Sequence, residues 1–232
     1  RRQDHRIQYA DRRVPPTDGG IRLDGQNLIG KKPHEICKLG VARTFQNIRL
    51  FSQLSVLDNV KTGLHNQITY SFAESMFHLG SYRKKEKQMD EKALELLRVF
   101  DLDGVADYKA ANLPYGKQRK LEIARALATG SELLLLDEPF SALDFLTRIT
   151  MQEWLLDQWE QDSKTVLFIT HDVEEAIFLS GRVLVVEDTP IRKLHSFEVP
   201  APYPRTRACL TDPKMLELRE NLISLLRKEV QA

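Results

Sequence analysis

Two adjacent carboxylates follow a run of four leucines near the middle of the chain. Residues 133–136 are all leucine, and Asp137, Glu138 and Pro139 come directly after them. This pattern is typical of a buried strand that presents acidic groups at its carboxyl end, the edge at which open α/β sheets bind ligands. Asp137 could hold Mg²⁺ through water, and Glu138 could orient or deprotonate an attacking water, so the pattern favours phosphoryl transfer. The alternative is a core strand followed by a polar turn.

A turn that leads into a helix lies upstream of this strand. Leu121, Ala124 and Ala128 recur on one face without a breaker, which predicts the helix. We expect the turn before it to be centred on Gly116 and to expose backbone N–H groups that suit a phosphate, although an ordinary helix entry is the alternative. The residues of this turn are Leu113, Pro114, Tyr115, Gly116, Lys117 and Gln118.

Two further segments follow the acidic strand. The first is the short run Ser141, Ala142, Leu143 and Asp144. The second is an apolar strand at 165–169 that leads to His171. A histidine after a second parallel strand could reach a γ-phosphate, whereas a lone histidine at a strand end is usually structural.

The order and spacing of these motifs resemble the ATP-binding subunit of ABC transporters, over nearly the whole chain from residue 17 onward. The resemblance implies that residues 113–118 form the signature loop and that residues 141–144 form the D-loop. It makes Asp137 the Walker B aspartate and implies catalytic roles for Glu138 and for His171, the switch histidine. Gln46 matches the Q-loop glutamine. The implied cofactors are ATP and Mg²⁺, with the metal held through Gln46 and Asp137.

Pro114 departs from the family pattern. At this position the family usually has a serine that hydrogen-bonds the γ-phosphate of the partner's nucleotide. Proline has neither a side-chain hydroxyl nor a backbone N–H. The resemblance therefore leaves one phosphate contact without its donor, although the Leu-Pro-Tyr-Gly form looks like a subfamily variant.

The chain contains no Gly-x-x-x-x-Gly-Lys-Ser/Thr phosphate loop, which should stand just before the turn at 17–20. Residues 1–13 are instead polar and without periodicity. One permitted coding of them, shifted by one base, reads Ala-Gly-Lys-Thr-Thr-Val-Phe-Asn-Met-Leu-Thr-Gly, the end of such a loop and its helix. We therefore interpret residues 1–16 as an aberrant segment whose first 14 or so residues are an out-of-frame translation. The alternative is an unrelated basic arm.

The expected architecture is an α/β fold of the P-loop NTPase type, as in ABC ATPases, with a mostly parallel sheet and a truncated N-terminus. The ATPase domain would span residues 17–232, with an inserted helical subdomain at about 51–126 and a C-terminal extension at about 189–232. Ser55 is the expected N-cap of one helix. Loss of the strand before the phosphate loop would leave a gap in the sheet.

The resemblance implies an ATPase that energises a bacterial importer at the cytoplasmic face of the inner membrane. Its partners would be transmembrane permease subunits, a substrate-binding protein and a second ATPase subunit, identical or different, joined head to tail. Phe51 would lie at the contact with the permease, or else in the core. We expect the chain with this amino-acid sequence to bind ATP poorly.

The transported substrate is not determined by the chain. Residues 40–129 resemble the ATPases of branched-chain amino-acid importers, whereas the region from Ser131 onward resembles those of nitrate, sulfonate or taurine importers. The chain thus looks like two related sequences joined near Gly130.

Composition limits the remaining alternatives. The chain has 232 residues, 42% of them hydrophobic, with a net charge of +1, so it can bury a sizeable core and shows no strong attraction to nucleic acid. No apolar run approaches the roughly 20 residues that span a bilayer, and no signal peptide is evident, so a membrane role would need partners. Two rival functions remain: a non-catalytic fragment that docks a membrane subunit, and a soluble ABC ATPase of DNA repair or translation.

Overall fold

The computed structural model describes residues 19–45, 47–67, 80–141, 143–161, 164–187 and 193–231. The chain forms two compact units, which divide between Leu134 and Leu135. The predicted aberrant segment 1–16 lies outside the described residues, as do Gln46 and Ala142.

The first unit combines short strands with longer helices. Its described elements are β1 (Arg22–Leu23), β2 (Gln26–Asn27), α1 (Pro33–Lys38), β3 (Val41–Arg43), α2 (Val56–Leu64), α3 (Gly80–Val99) and α4 (Tyr115–Ala128). Among the described helices of this unit, α2 packs most extensively, against α4 and against α3. The helical region that the sequence predicts after residue 51 is thus present in this unit.

Helix α2 begins where the sequence predicts. The Ser55 hydroxyl oxygen accepts a hydrogen bond from the Asp58 N–H at 3.0 Å, which makes Ser55 the N-cap. Val56 and Val60 are fully buried on one face of this helix. The cap and the apolar face together explain why the helix forms here.

The second unit alternates helices and strands. Its described elements are the end of β4 (Leu133–Asp137), α5 (Phe145–Gln161), β5 (Thr165–Ile169), α6 (Val173–Leu179), β6 (Arg182–Glu187), β7 (Lys193–Glu198) and α7 (Pro213–Gln231). The sequence predicts β4 and β5 among these, whereas the polar residues Lys193, His195 and Ser196 of β7 give no clear strand pattern. Strand β7 pairs antiparallel with β6, and Val185 lies opposite His195.

The described strands do not form one continuous sheet. Strands β4 and β5 are neighbours in a parallel sheet, whereas β6 and β7 form a separate pair. Among the strands that the structure describes, β5 and β6 are therefore not hydrogen-bonded to each other.

Helix α7 packs against the body of its own unit. Met215, Leu218 and Leu222 are buried in one apolar cluster with Ile177 and Val183. The sequence leaves open whether this C-terminal helix packs on the body or on a second subunit. The cluster shows that its apolar stripe is already covered within the chain.

Phe51 is not a core residue, since 52% of its surface is exposed in the first unit. The prediction of a core position for Phe51 is therefore wrong, and a role in docking stays a prediction. None of the helices in the described ranges is long and apolar enough to cross a membrane.

Candidate functional site

The acidic end of β4 lies at the carboxyl edge of the sheet. Asp137, the last residue of the strand, is buried with 7% of its surface exposed. Glu138 follows with a φ of +43°, a left-handed conformation that side chains rarely adopt. Its N–H donates a hydrogen bond to Ile169 O at 2.9 Å, which ties the residue to the end of β5. Backbone strain of this kind is typical of functional positions.

Glu138 and His171 are brought together by the ends of β4 and β5. Glu138 Oε1 lies 3.0 Å from His171 Nδ1, within hydrogen-bond distance. The carboxylate is only 17% exposed, whereas the imidazole is 68% exposed. A sheltered carboxylate beside an accessible imidazole is an arrangement that can orient a water and move a proton.

The segment after Glu138 turns back on itself before α5 begins. Ser141 N–H and Ser141 Oγ both donate to Glu138 O, at 3.3 Å and 3.1 Å. Asp144 then caps α5, because its Oδ1 accepts from Thr147 N–H at 3.1 Å. Hydrogen bonds from the side chain and the N–H of Thr147 lower the pKa of Asp144. The described D-loop residues thus have structural partners of their own.

An open cleft of about 280 Å³ is lined by the residues of this site and by others that the sequence does not single out. Glu138, Ser141 and His171 were predicted as site residues. The additional lining residues are Arg148, Thr170, Asp172 and Glu175. Their only sequence signal is the acidic cluster after His171, in which Asp172 caps α6 by accepting from the N–H groups of Glu174 and Glu175.

Glu175 is a buried carboxylate behind this cleft, with 6% of its surface exposed. Burial raises its pKa, against the hydrogen bond that Thr170 Oγ1 donates to its Oε2 at 2.7 Å. Gln152 Nε2 donates to Oε1 at 2.8 Å, and Arg148 Nε lies 4.0 Å from the same oxygen. The hydrogen bonds from Thr170 and Gln152 compensate the carboxylate for its loss of solvent.

The signature-loop segment lies in the first unit, at the start of α4. Pro114 is the N-cap residue and Gly116 already lies inside the helix, so the prediction of a turn centred on Gly116 is wrong. Pro114 itself is not helical, with φ −54° and ψ 149°, and the helix begins directly after it at Tyr115. Gln118 stabilises the start of the helix with two hydrogen bonds. Its N–H donates to Pro114 O at 2.9 Å, and its Nε2 donates to Leu113 O at 2.8 Å. Tyr115 is 41% exposed and Lys117 is exposed.

The residues on either side of Gln46 are held by α4. Arg119 Nη1 donates to Phe45 O at 2.6 Å, and Arg49 N–H donates to Glu122 Oε1 at 3.2 Å. Arg119 and Glu122 also pair with each other and are almost fully buried, with 1% and 2% exposed. Gln46 itself lies outside the described residues.

The chain has a residue suited to binding Mg²⁺, but its nearest match to a phosphate loop does not fit a nucleotide phosphate. The buried carboxylate of Asp137 fits Mg²⁺, which prefers oxygen ligands and keeps several waters. The sequence comes nearest to a phosphate loop at Gly25 and Gly30-Lys31, but Lys32 stands where serine or threonine belongs. There the exposed strand β2 lies inside the stretch itself and the following helix α1 has only 6 residues, so this stretch is not a phosphate loop.

Comparison with known proteins decides the family. The family model described as ABC transporter matches residues 9–141, more than half of the chain. This chain belongs to the ABC transporter family. The family is one of ATPases, whereas the roles assigned to the individual site residues stay predictions.

Two relatives correspond to the two resemblances seen in the sequence. The taurine import ATP-binding protein TauB of Rhizobium johnstonii is 38% identical over 218 residues, covering 92% of this ABC ATPase and 75% of the relative. The high-affinity branched-chain amino acid transport ATP-binding protein BraF of Pseudomonas aeruginosa is 34% identical over 171 residues, covering 74% and 67%.

A solved structure supports the fold of the ABC ATPase. The dimeric ATP-binding cassette MJ0796, in a post-hydrolysis state bound to ADP and Pi, superposes with a TM-score of 0.67 at 24% sequence identity. The match covers 86% of this chain and 82% of that one. The predicted P-loop NTPase-like fold is thus confirmed.

Proposed function

We propose that this chain is the ATP-binding subunit of a bacterial ABC importer and that, as written, it binds ATP poorly. The observation that carries the catalytic part is the contact of 3.0 Å between Glu138 and His171 at the carboxyl ends of two neighbouring strands. The resemblance gives this contact its meaning, because it implies that Glu138 is the catalytic glutamate and His171 the switch histidine.

The chain's own residues would perform the following steps. Glu138 orients a water and accepts its proton, and the adjacent His171 fixes the direction of the carboxylate. Asp137, and Gln46 by resemblance, would hold Mg²⁺. When bound, Mg²⁺ and ATP supply the phosphoryl group and neutralise the charge that develops on it. The signature loop 113–118 would complete the nucleotide site of a second ATPase subunit.

The cargo proposed for the importer is an amino acid or a small anion such as nitrate or sulfonate. The names of the relatives favour both classes, since one serves taurine import and the other branched-chain amino-acid transport. Permease subunits and a substrate-binding protein would select the cargo. The proposed location is the cytoplasmic face of the inner membrane, where the chain would be attached through the permease.

One observation supports the proposal of impaired ATP binding. No stretch of the 232 residues has the Gly-x-x-x-x-Gly-Lys-Ser/Thr pattern that cradles phosphates. Lysine and backbone N–H groups at the β- and γ-phosphates supply much of the binding energy in such sites.

The decisive experiment is a titration of the full chain with ATP and Mg²⁺, with Glu138→Gln to block turnover. We expect no binding in the micromolar range. Replacing residues 1–12 by Ala-Gly-Lys-Thr-Thr-Val-Phe-Asn-Met-Leu-Thr-Gly, preceded by a strand and loop from TauB, should restore it. The matched control carries alanine in place of the lysine of that segment and should not bind. Micromolar binding by the unaltered chain would overturn the proposal of impairment.

A second candidate function is a non-catalytic subunit that docks a membrane partner. The observation in its favour is the exposure of apolar side chains in the helical subdomain, at Phe51 (52%), Leu54 (39%) and Tyr108 (58%). Copurification with the permease in the absence of nucleotide, lost in Phe51→Ser but kept in Leu216→Ser, would support it. Full ATP hydrolysis by the unaltered chain would contradict it.

A further inference from the structure

A chain of hydrogen bonds links the C-terminal extension to the residues on either side of His171. It begins at Arg207, whose Nη2 donates to Gln152 Oε1. Gln152 Nε2 then donates to Glu175 Oε1 at 2.8 Å. From the opposite side, Thr170 Oγ1 donates to Glu175 Oε2 at 2.7 Å, and Asp172 N–H donates to Thr170 Oγ1 at 3.0 Å. Every donor in this relay points towards the one carboxylate.

We propose that Arg207 is a positioning residue for the switch histidine and acts through Gln152 and Glu175 on Thr170 and Asp172. Because the two neighbours of His171 are fixed, the imidazole is directed towards Glu138. The functional meaning of this positioning rests on the proposed ATPase function, but the contacts themselves do not. Through these contacts, the C-terminal extension influences the orientation of the His171 imidazole.

Gln152 is suited to the middle of the relay by its chemistry. It is 3% exposed, so each of its polar atoms needs a protein partner. A neutral amide can donate to the Glu175 carboxylate and accept from the Arg207 guanidinium at the same time. A glutamate here could still accept from Arg207 but would place a second negative charge beside Glu175. The two partners thus determine both the residue type and its orientation.

Arg207 is itself held in place on several sides. Its Nε donates to Glu153 Oε1 at 3.2 Å, and its guanidinium lies 4.9 Å from the centre of the Phe178 ring. The neighbouring Arg205 is buried and donates from Nη1 to the carbonyl oxygens of Ile177, Phe178 and Ser180 at 3.3, 3.3 and 2.8 Å. The extension therefore contacts the C-terminal end of α6 directly and its N-terminal end through the relay.

The test needs no nucleotide. In the full chain, amide hydrogen exchange would be followed at Asp172, Glu174 and Glu175 together with the ring resonances of His171. Arg207→Met should speed exchange at these three amides by about fivefold or more, as expected for a lost hydrogen bond, and should move the His171 resonances. Exchange at Val185 in β6 should stay unchanged, since a general loss of stability would accelerate it as well.

Three further variants separate positioning from simple packing. Arg219 belongs to the same extension and forms an ion pair with Glu174 at 3.1 Å, but it lies outside the relay. Arg219→Met should therefore leave the exchange rate of Asp172 and the resonances of His171 unchanged. Gln152→Glu should act like Arg207→Met or more strongly. Arg207→Lys, which keeps a donor, should restore part of the protection. Equal acceleration in Arg207→Met and Arg219→Met, or none in either, would overturn the proposal.

Failure of the proposed ATPase function would give a different result from failure of the relay. In the chain with a restored phosphate loop, Arg207→Met should lower kcat severalfold while KM for ATP changes little. If exchange responds as expected but the restored chain never hydrolyses ATP, the relay stands and the ATPase proposal fails. If hydrolysis is normal and exchange at Asp172 does not respond, the relay fails alone.

Discussion

At the scale of single residues, the site is built from side chains whose partners prevent them from moving freely. Glu138 has a left-handed backbone and a hydrogen bond from its N–H to Ile169 O. Asp144 is fully exposed, yet its oxygen is engaged with the first turn of α5. Such local bonds, rather than a deep pocket, fix the direction of the described acidic groups.

The cap at Asp144 predicts a pH dependence. Because hydrogen bonds from Thr147 lower the folded-state pKa of Asp144 below its usual 3.8, the ionised form favours the folded state. The stabilisation should be fully present above 3.8 and should be lost as the pH falls through the lower folded-state pKa. Urea unfolding of the chain and of Asp144→Asn over that pH range measures it.

Thr147→Val serves as the control for this prediction, because the Thr147 hydroxyl is the first cause of the lowered pKa. That variant should show a smaller pH dependence than the unaltered chain. Thr150→Val, which removes a hydroxyl bonded to Leu146 O on the same helix, should not. Identical profiles for all variants would refute the assignment to Asp144.

At the scale of elements, α4 organises the first unit. It carries the signature-loop residues at its start, the buried Arg119–Glu122 pair in its first half and close contacts with α2 in its second half. The approach of α2 depends on Gly63. A Cβ atom there would lie 2.5 Å from Arg125 O and 2.9 Å from Ala128 Cβ.

Gly63→Ala should therefore destabilise the fold by about 1–3 kcal/mol, the usual cost of overpacking. The two helices would have to separate by several tenths of an ångström to accept the methyl group. Thermal and denaturant unfolding measure the effect. Gly104→Ala is the matched control, because a Cβ atom at Gly104 meets no atom within 4 Å, and it should be nearly neutral.

At the scale of the whole molecule, the second unit owes its core to the C-terminal extension. The buried cluster joins α6 and β6 to three residues of α7. The predicted boundary of the extension at about residue 189 therefore does not mark an independent appendage. Without α7, the apolar side chains of Ile177 and Val183 would face water.

Leu222→Ala should cost about 2–5 kcal/mol, the range for truncating a buried leucine. Leu222 is 2% exposed. Leu216→Ala, on the same helix but at a position that is 43% exposed, should change stability by no more than about 0.5 kcal/mol. Chemical denaturation of both variants measures their free energies of unfolding. Equal losses of stability would contradict the packing of α7 against the buried cluster.

Much of the fold and of the site follows from the sequence because the signals are local. Four leucines before two carboxylates predict β4 and its acidic end, and Ser55 predicts the start of α2. Asp137, Glu138 and His171 are recognisable because their types and spacing follow a strand pattern that short-range chemistry dictates. The printed residues do not contain the Gly-x-x-x-x-Gly-Lys-Ser/Thr pattern, which is also read from the sequence alone.

Tertiary structure decided the features that depend on residues far apart in the chain. Sequence patterns give no measure of which polar groups meet across elements, so the relay from Arg207 through Gln152 and Glu175 to Thr170 had no signal. Strand β7 had no clear signal because polar residues interrupt its apolar pattern, and α4 begins directly after Pro114 rather than after a turn centred on Gly116. Local propensity determines where elements begin and end, whereas burial determines which side chains must find partners.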